Sequence, residues 1–122
     1  MKYSRGVFVC LAAIVLGFTT FSYAQTKQKD PEQVIKVTAK MFEFSPKEIT
    51  IKKGIPVVLE LTSLDRPHGF NCPELKVRAD IKPGKASRVR IVAAKAGTYE
   101  FYCDVFCGVG HAEMRGKIIV VK

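Results

Sequence analysis

Beyond residue 33 the apolar positions of this chain recur at every second residue over short runs, and each run ends at a turn residue. That period places alternate side chains on opposite faces of a strand, and no 3.6-residue period is sustained long enough to argue for a helix. Val34–Thr38 reads as a first strand, and Phe42 and Phe44 alternate around Glu43 until Ser45-Pro46 closes the run. Ile49–Lys52 alternates cleanly, Lys53-Gly54 turns, and Val57–Thr62 forms a longer strand. Pro67 and Pro73 bracket a segment that reads as irregular. After Leu75-Lys76-Val77, the Pro83-Gly84 pair predicts a turn, followed by strands over Arg88–Val92, Gly97–Cys103 and Lys117–Val121. About seven short strands of this kind predict an all-β fold, an antiparallel sandwich or small barrel with Greek-key connections.

Parity says which side chains point inward. Tyr99, Phe101 and Cys103 share one face of their strand, so the strand delivers a thiol to the interior at its end. Lys52, Arg88 and Arg90 fall on the opposite, solvated parities.

The first residues follow a different pattern. Lys2 and Arg5 precede an apolar run centred on Val7–Phe18, and Ser22-Tyr23-Ala24 supplies small residues ahead of Gln25. This predicts a cleavable secretory signal over residues 1–24, a polar linker over 25–33 and one domain over 34–122. Retention as a membrane anchor is the alternative, because about twenty apolar residues span a bilayer. Cys10 lies too early in the run for lipidation and reads as part of the signal. An exported or periplasmic location follows, where thiols tend to form disulfides or bind metal.

Composition narrows the function. Of 122 residues, 25% are charged and 48% apolar, which is ordinary for a globular chain and unlike a disordered one. Removing 24 residues leaves 98, enough for one small domain and too few for a multidomain catalyst. The formal charge is +9, and without Lys2 and Arg5 it is 18 basic against 11 acidic groups, +7. That excess predicts an acidic docking surface on a partner protein. Export and the lack of a basic-aromatic motif argue against nucleic acid.

The chemistry concentrates between the last two strands, in Cys103-Asp104-Val105-Phe106-Cys107-Gly108-Val109-Gly110-His111-Ala112-Glu113-Met114. The spacing is C-x3-C-x3-H-x2-M, and the other histidine, His68, lies 35 residues before Cys103 beside a proline. Thiolate, imidazole and thioether together suit copper, and a thioether suits zinc poorly. One cysteine, two histidines and a weak methionine would complete a mononuclear site, which leaves a surplus thiol. Two thiolates a loop-turn apart bridge two copper ions, each taking one histidine, with the thioether and a backbone carbonyl in the weak positions. A zinc site on the two cysteines and two histidines, or a local Cys103–Cys107 disulfide, is the competing reading. Cys72 is left over and reads as a buried thiol.

This loop, with Pro67-His68-Gly69-Phe70 upstream, resembles the cupredoxin domains that hold the CuA centre in cytochrome c oxidase subunit II and nitrous-oxide reductase. The resemblance covers roughly residues 34–122. It implies His68, Cys103, Cys107, His111 and Met114 as side-chain ligands of two copper ions, and the carbonyl of Val105 as a further ligand. Oxidase subunits usually carry a magnesium-binding glutamate between the cysteines, where this chain has Val105. They also usually carry two membrane helices, an acidic docking face and tryptophans, whereas this chain is basic and has no tryptophan.

Three functions compete on this basis. The first is an exported one-electron carrier. The second is the copper subunit of a terminal oxidase or a detached reductase module, which needs a large catalytic partner. The third is a copper delivery protein. No catalysis is expected of the chain alone.

Overall fold

The computed structural model describes residues 32–122; the expected signal segment and nearly all of the linker lie outside the described residues. Among the described residues nine strands form two sheets: β1 (Gln33–Lys40), β2 (Glu43–Ser45), β3 (Glu48–Lys52), β4 (Val57–Ser63), β5 (His68–Cys72), β6 (Val77–Ile81), β7 (Ser87–Ile91), β8 (Gly97–Tyr102) and β9 (Arg115–Val121). One sheet has the order β2-β1-β4-β7 and the other β3-β9-β8-β5-β6. Two short 3-10 turns, Pro73–Leu75 and His111–Glu113, are the only helical pieces among the described residues.

The alternation read from the sequence is what the sheets bury. Ile49 and Ile51 of β3, Val57, Leu59 and Leu61 of β4, and Ile118 and Val120 of β9 face inward between the sheets. Three rings fill the centre. Phe70 and Phe101 stack at 4.7 Å, and Phe44 meets them edge-on at 6.0 and 5.1 Å. Burying each ring is worth about 1.5–3 kcal/mol, so this cluster anchors the domain.

Two expectations are corrected. The sandwich is mixed, not wholly antiparallel: β1 runs parallel to β4 from Gln33↔Val57 to Ala39↔Ser63, and β3 runs parallel to β9. The chain crosses to the other sheet to lay down β3 before it returns as β4, so no hairpin fixes the direction of β4. The segment between Pro67 and Pro73 is a strand, β5, paired with β6 from His68↔Ile81 to Cys72↔Val77 and touching β8 at Asn71↔Tyr102. It shows no alternation because four of its five residues are buried, and burial on both faces leaves no pattern to read. Between β5 and β6, Pro73 opens a 3-10 turn that Lys76 closes at φ 56°, and β6 begins at Val77.

Period 2 then positions the functional end. His68 lies two residues from Phe70, Cys103 two residues from Phe101, and Met114 two residues from Gly116, whose α-carbon lies against the Phe101 ring. The inward rows that hold the aromatic cluster therefore continue upward into a cluster of nitrogen and sulfur.

Candidate metal centre

Strand β8 ends at Tyr102 and hands Cys103 to the interior, and the backbone N–H of Cys103 donates to the carbonyl of Met114 at 3.0 Å, which closes the base of the loop. The second half of the loop is a tight coil. His111 N donates to Gly108 O, Glu113 N to Gly110 O and Met114 N to His111 O, each at 3.2 Å. His68 enters from β5, across the sheet.

The side chains converge. Donor atoms of His68, Cys103 and Cys107 lie within 4.8 Å of one another, and all three residues are buried. Nδ1 of His68 faces the Cys103 sulfur at 3.9 Å, and Nδ1 of His111 faces the Cys107 sulfur at 3.6 Å. The Met114 thioether sits 3.8 Å from the Cys107 sulfur. The Cys103 thiol donates to the Val105 carbonyl at 3.2 Å, which turns that oxygen toward the cluster. Each residue singled out from the loop spacing is thus at this end of the sandwich, with His111 and Met114 approaching from the side of Cys107. The three described cysteines Cys72, Cys103 and Cys107 are free thiols, so the local disulfide is not formed here. Cys72 stands four residues along β5 from His68, about 13 Å away along the strand, and is the buried thiol expected of it.

Electrostatics favour a soft cation at this point. Burial pushes the Cys107 thiol up to about 11, and the neighbouring Cys103 adds to the shift. The buried Cys107 thiol resists becoming a thiolate unless a positive charge arrives, which is what a metal supplies. The donor set, two sulfurs with two imidazole nitrogens and a thioether, fits copper in its chemistry.

Sequence reasoning missed the residues around the ligands. Nε2 of His68 is 2.7 Å from Oδ1 of Asp65, which leaves Nδ1 to face the sulfurs. Partial burial opposes ionisation of Asp65, but hydrogen bonds from the Met41 N–H, His68 and the Arg66 N–H outweigh it and hold the carboxyl at about 2. Arg66 Nη1 donates to the Cys107 carbonyl at 3.1 Å. Gly69, next to His68, donates its N–H to the Cys103 sulfur at 3.4 Å. The one local signal was an acidic residue three positions before a histidine, a spacing too common to single out alone.

Comparison with known proteins agrees with this fold. Residues 12–120 match the cupredoxin-like domain. Cytochrome c oxidase subunit 2 of Thermus thermophilus is 34% identical over 94 residues, 76% of this chain and 70% of that protein. Nitrous-oxide reductase of Cupriavidus necator is 39% identical over 90 residues, which span 70% of this chain but 14% of the reductase. Among solved structures, the periplasmic domain of subunit II of cytochrome oxidase from Bradyrhizobium japonicum superposes with a TM-score of 0.70 over 77% of this chain and 87% of that one; at 23% identity, this is a likeness of fold. A family match over most of the chain, carried by the same two-sheet sandwich, means that this protein belongs to the cupredoxin-like domain family.

Proposed function

We propose that the domain is an exported carrier of single electrons that holds two copper ions. The ligands are the side chains of His68, Cys103, Cys107, His111 and Met114 and the carbonyl of Val105. The observation that carries the reading is the pairing of each loop thiol with its own imidazole nitrogen, at 3.9 and 3.6 Å, while both sulfurs share one buried cluster. Two sulfurs in one cluster with an imidazole on each flank would offer a binuclear site its donors. The buried thioether beside Cys107 counts against zinc.

Bound there, copper supplies the one-electron couple. The chain supplies everything else. Asp65 fixes the ring of His68, the sandwich beneath holds both sulfurs, and burial of Cys103, Cys107 and Met114 excludes water. A rigid, dry donor set limits reorganisation when the charge changes. His111 is only partly buried, and the exposed Phe106 ring lies 5.6 Å from its imidazole, so this edge is where an electron would cross to a redox partner. The formal +9 of the chain, +7 without the signal residues, supports an acidic partner surface.

Copper stoichiometry with electron paramagnetic resonance tests the assignment. Two coppers per chain with hyperfine structure over both nuclei support it; one copper with a single-nucleus pattern sinks it. A second reading, the copper subunit of a terminal oxidase, is favoured by the 70% coverage of the Thermus subunit. Mass spectrometry of the exported protein separates the two, because a mature start at Gln25 removes the anchor such a subunit would need.

A further inference from the structure

Two residues far from the loop in sequence grip it at different points. Phe42, at the corner between β1 and β2, lies against the α-carbons of Gly108 and Gly110. A Cβ at Gly108 would fall 2.8 Å from the ring, and one at Gly110 would fall 2.5 Å from it. Gly110 has an ordinary φ of −90°, so its backbone does not demand glycine; the Phe42 ring does. At the start of the arc, Arg66 donates from Nη1 to the carbonyl of Cys107. Its own backbone is fixed, since its N–H donates to Asp65 Oδ1 at 2.7 Å and its carbonyl accepts the Ser63 hydroxyl at 2.5 Å.

The two grips are joined. Asp65 Oδ2 accepts the N–H of Met41 at 2.8 Å, which ties the corner that carries Phe42 to the loop that carries Arg66. The same carboxylate meets His68. One connected set of contacts therefore reaches both histidine-bearing segments, and none of it involves a metal.

We propose that Phe42 and Arg66 are positioning residues that hold the arc from Cys107 to His111 in its ligand-bearing geometry before metal arrives. Only the consequence for copper rests on the function proposed above; the order of the metal-free loop does not. Without the grip, an arc that follows Phe106 and carries Val109, 78% and 98% exposed, has little apolar burial to order it. With it, metal meets a site that is already assembled, and the ordering cost is met on folding instead of on binding.

Hydrogen exchange on the metal-free full chain tests this, using Phe42→Ala, Arg66→Met and Arg66→Lys, with Phe42→Leu in reserve should Phe42→Ala fail to fold. Losing either grip should speed exchange of amides 105–113 by about tenfold or more while β4 amides keep their protection. Arg66→Lys, which retains a donor, should recover part of the loss. Loop exchange within about twofold of wild type in Arg66→Met and in the folded Phe42 variant would overturn the proposal. Copper loading gives a second readout. Phe42→Ala, or Phe42→Leu in its place, should take up the wild-type amount of copper but show a second set of spectral features from a mispositioned ligand; a single wild-type spectrum counts against positioning. If the wild-type chain binds no copper, the proposed function falls while the exchange result still decides the role of the two residues.

Discussion

Replacing Gly69 with alanine should disturb the candidate centre far more than it disturbs the fold. A Cβ at Gly69 would lie 1.9 Å from Asp104 Oδ1 and 3.2 Å from Val105 Cγ2, so the Asp104 carboxylate has to leave its place. It accepts two hydrogen bonds from Arg78, at 2.8 and 3.1 Å. That pair is partly exposed, so losing it costs about 0.5–1 kcal/mol, and lifting the loop adds roughly 1 kcal/mol of strain. The sum, about 1.5–2 kcal/mol, lowers the melting temperature by about 6–16 °C in a domain of this size. Gly116→Ala is the control. There the new Cβ would meet Phe101 Cζ at 2.2 Å and the Lys47 carbonyl at 2.5 Å, and neither a packed core ring nor backbone can swing aside. Its cost should reach about 3 kcal/mol. Thermal unfolding by circular dichroism measures both losses, and visible absorption of the copper-loaded protein reads the site. Gly69→Ala should change the spectrum, because Cys103 adjoins Asp104 and its sulfur accepts the Gly69 N–H. Gly116→Ala, measured well below its melting point, should retain it. Equal losses of stability in the two variants, or a wild-type spectrum in Gly69→Ala, would refute the reasoning.

Asp65→Ala leaves the buried His68 without its Nε2 partner; it should cost about 1–3 kcal/mol in denaturant unfolding and about 10–100-fold in copper affinity measured against a chelator, and no change in either would remove Asp65 from its orienting role. Cys72 should resist iodoacetamide in the native protein, because burial raises its pKa and the sheet covers its sulfur; labelling as fast as in denaturant would contradict its placement. The rate of electron transfer to an acidic redox protein should fall as salt is added, since screening weakens attraction to a chain of formal charge +9, and a rate that rises with salt would sink docking through the basic excess.

Much of the fold and of the candidate site was legible along the chain. Alternation over β3, β4, β8 and β9 records which side chains are buried, because a strand with one face on the core writes its environment at every second residue. The inward direction of Cys103 and the C-x3-C-x3-H-x2-M spacing are equally local, since strand parity and one short loop decide them. Tertiary structure alone decided the rest. That β1 and β3 pair with parallel partners depends on crossings between sheets, which leave no mark on local pattern. β5 was hidden because it is covered on both sides. The meeting of His68 with Cys103 and the grip of Phe42 and Arg66 on the loop are contacts between segments about 35 to 70 residues apart. Asp65 is only three residues from His68, but its carboxylate is also tied to the Met41 N–H, 24 residues before it. Periodicity tells a residue whether to face the core, but only the packing of the two sheets determines which neighbour it finds there.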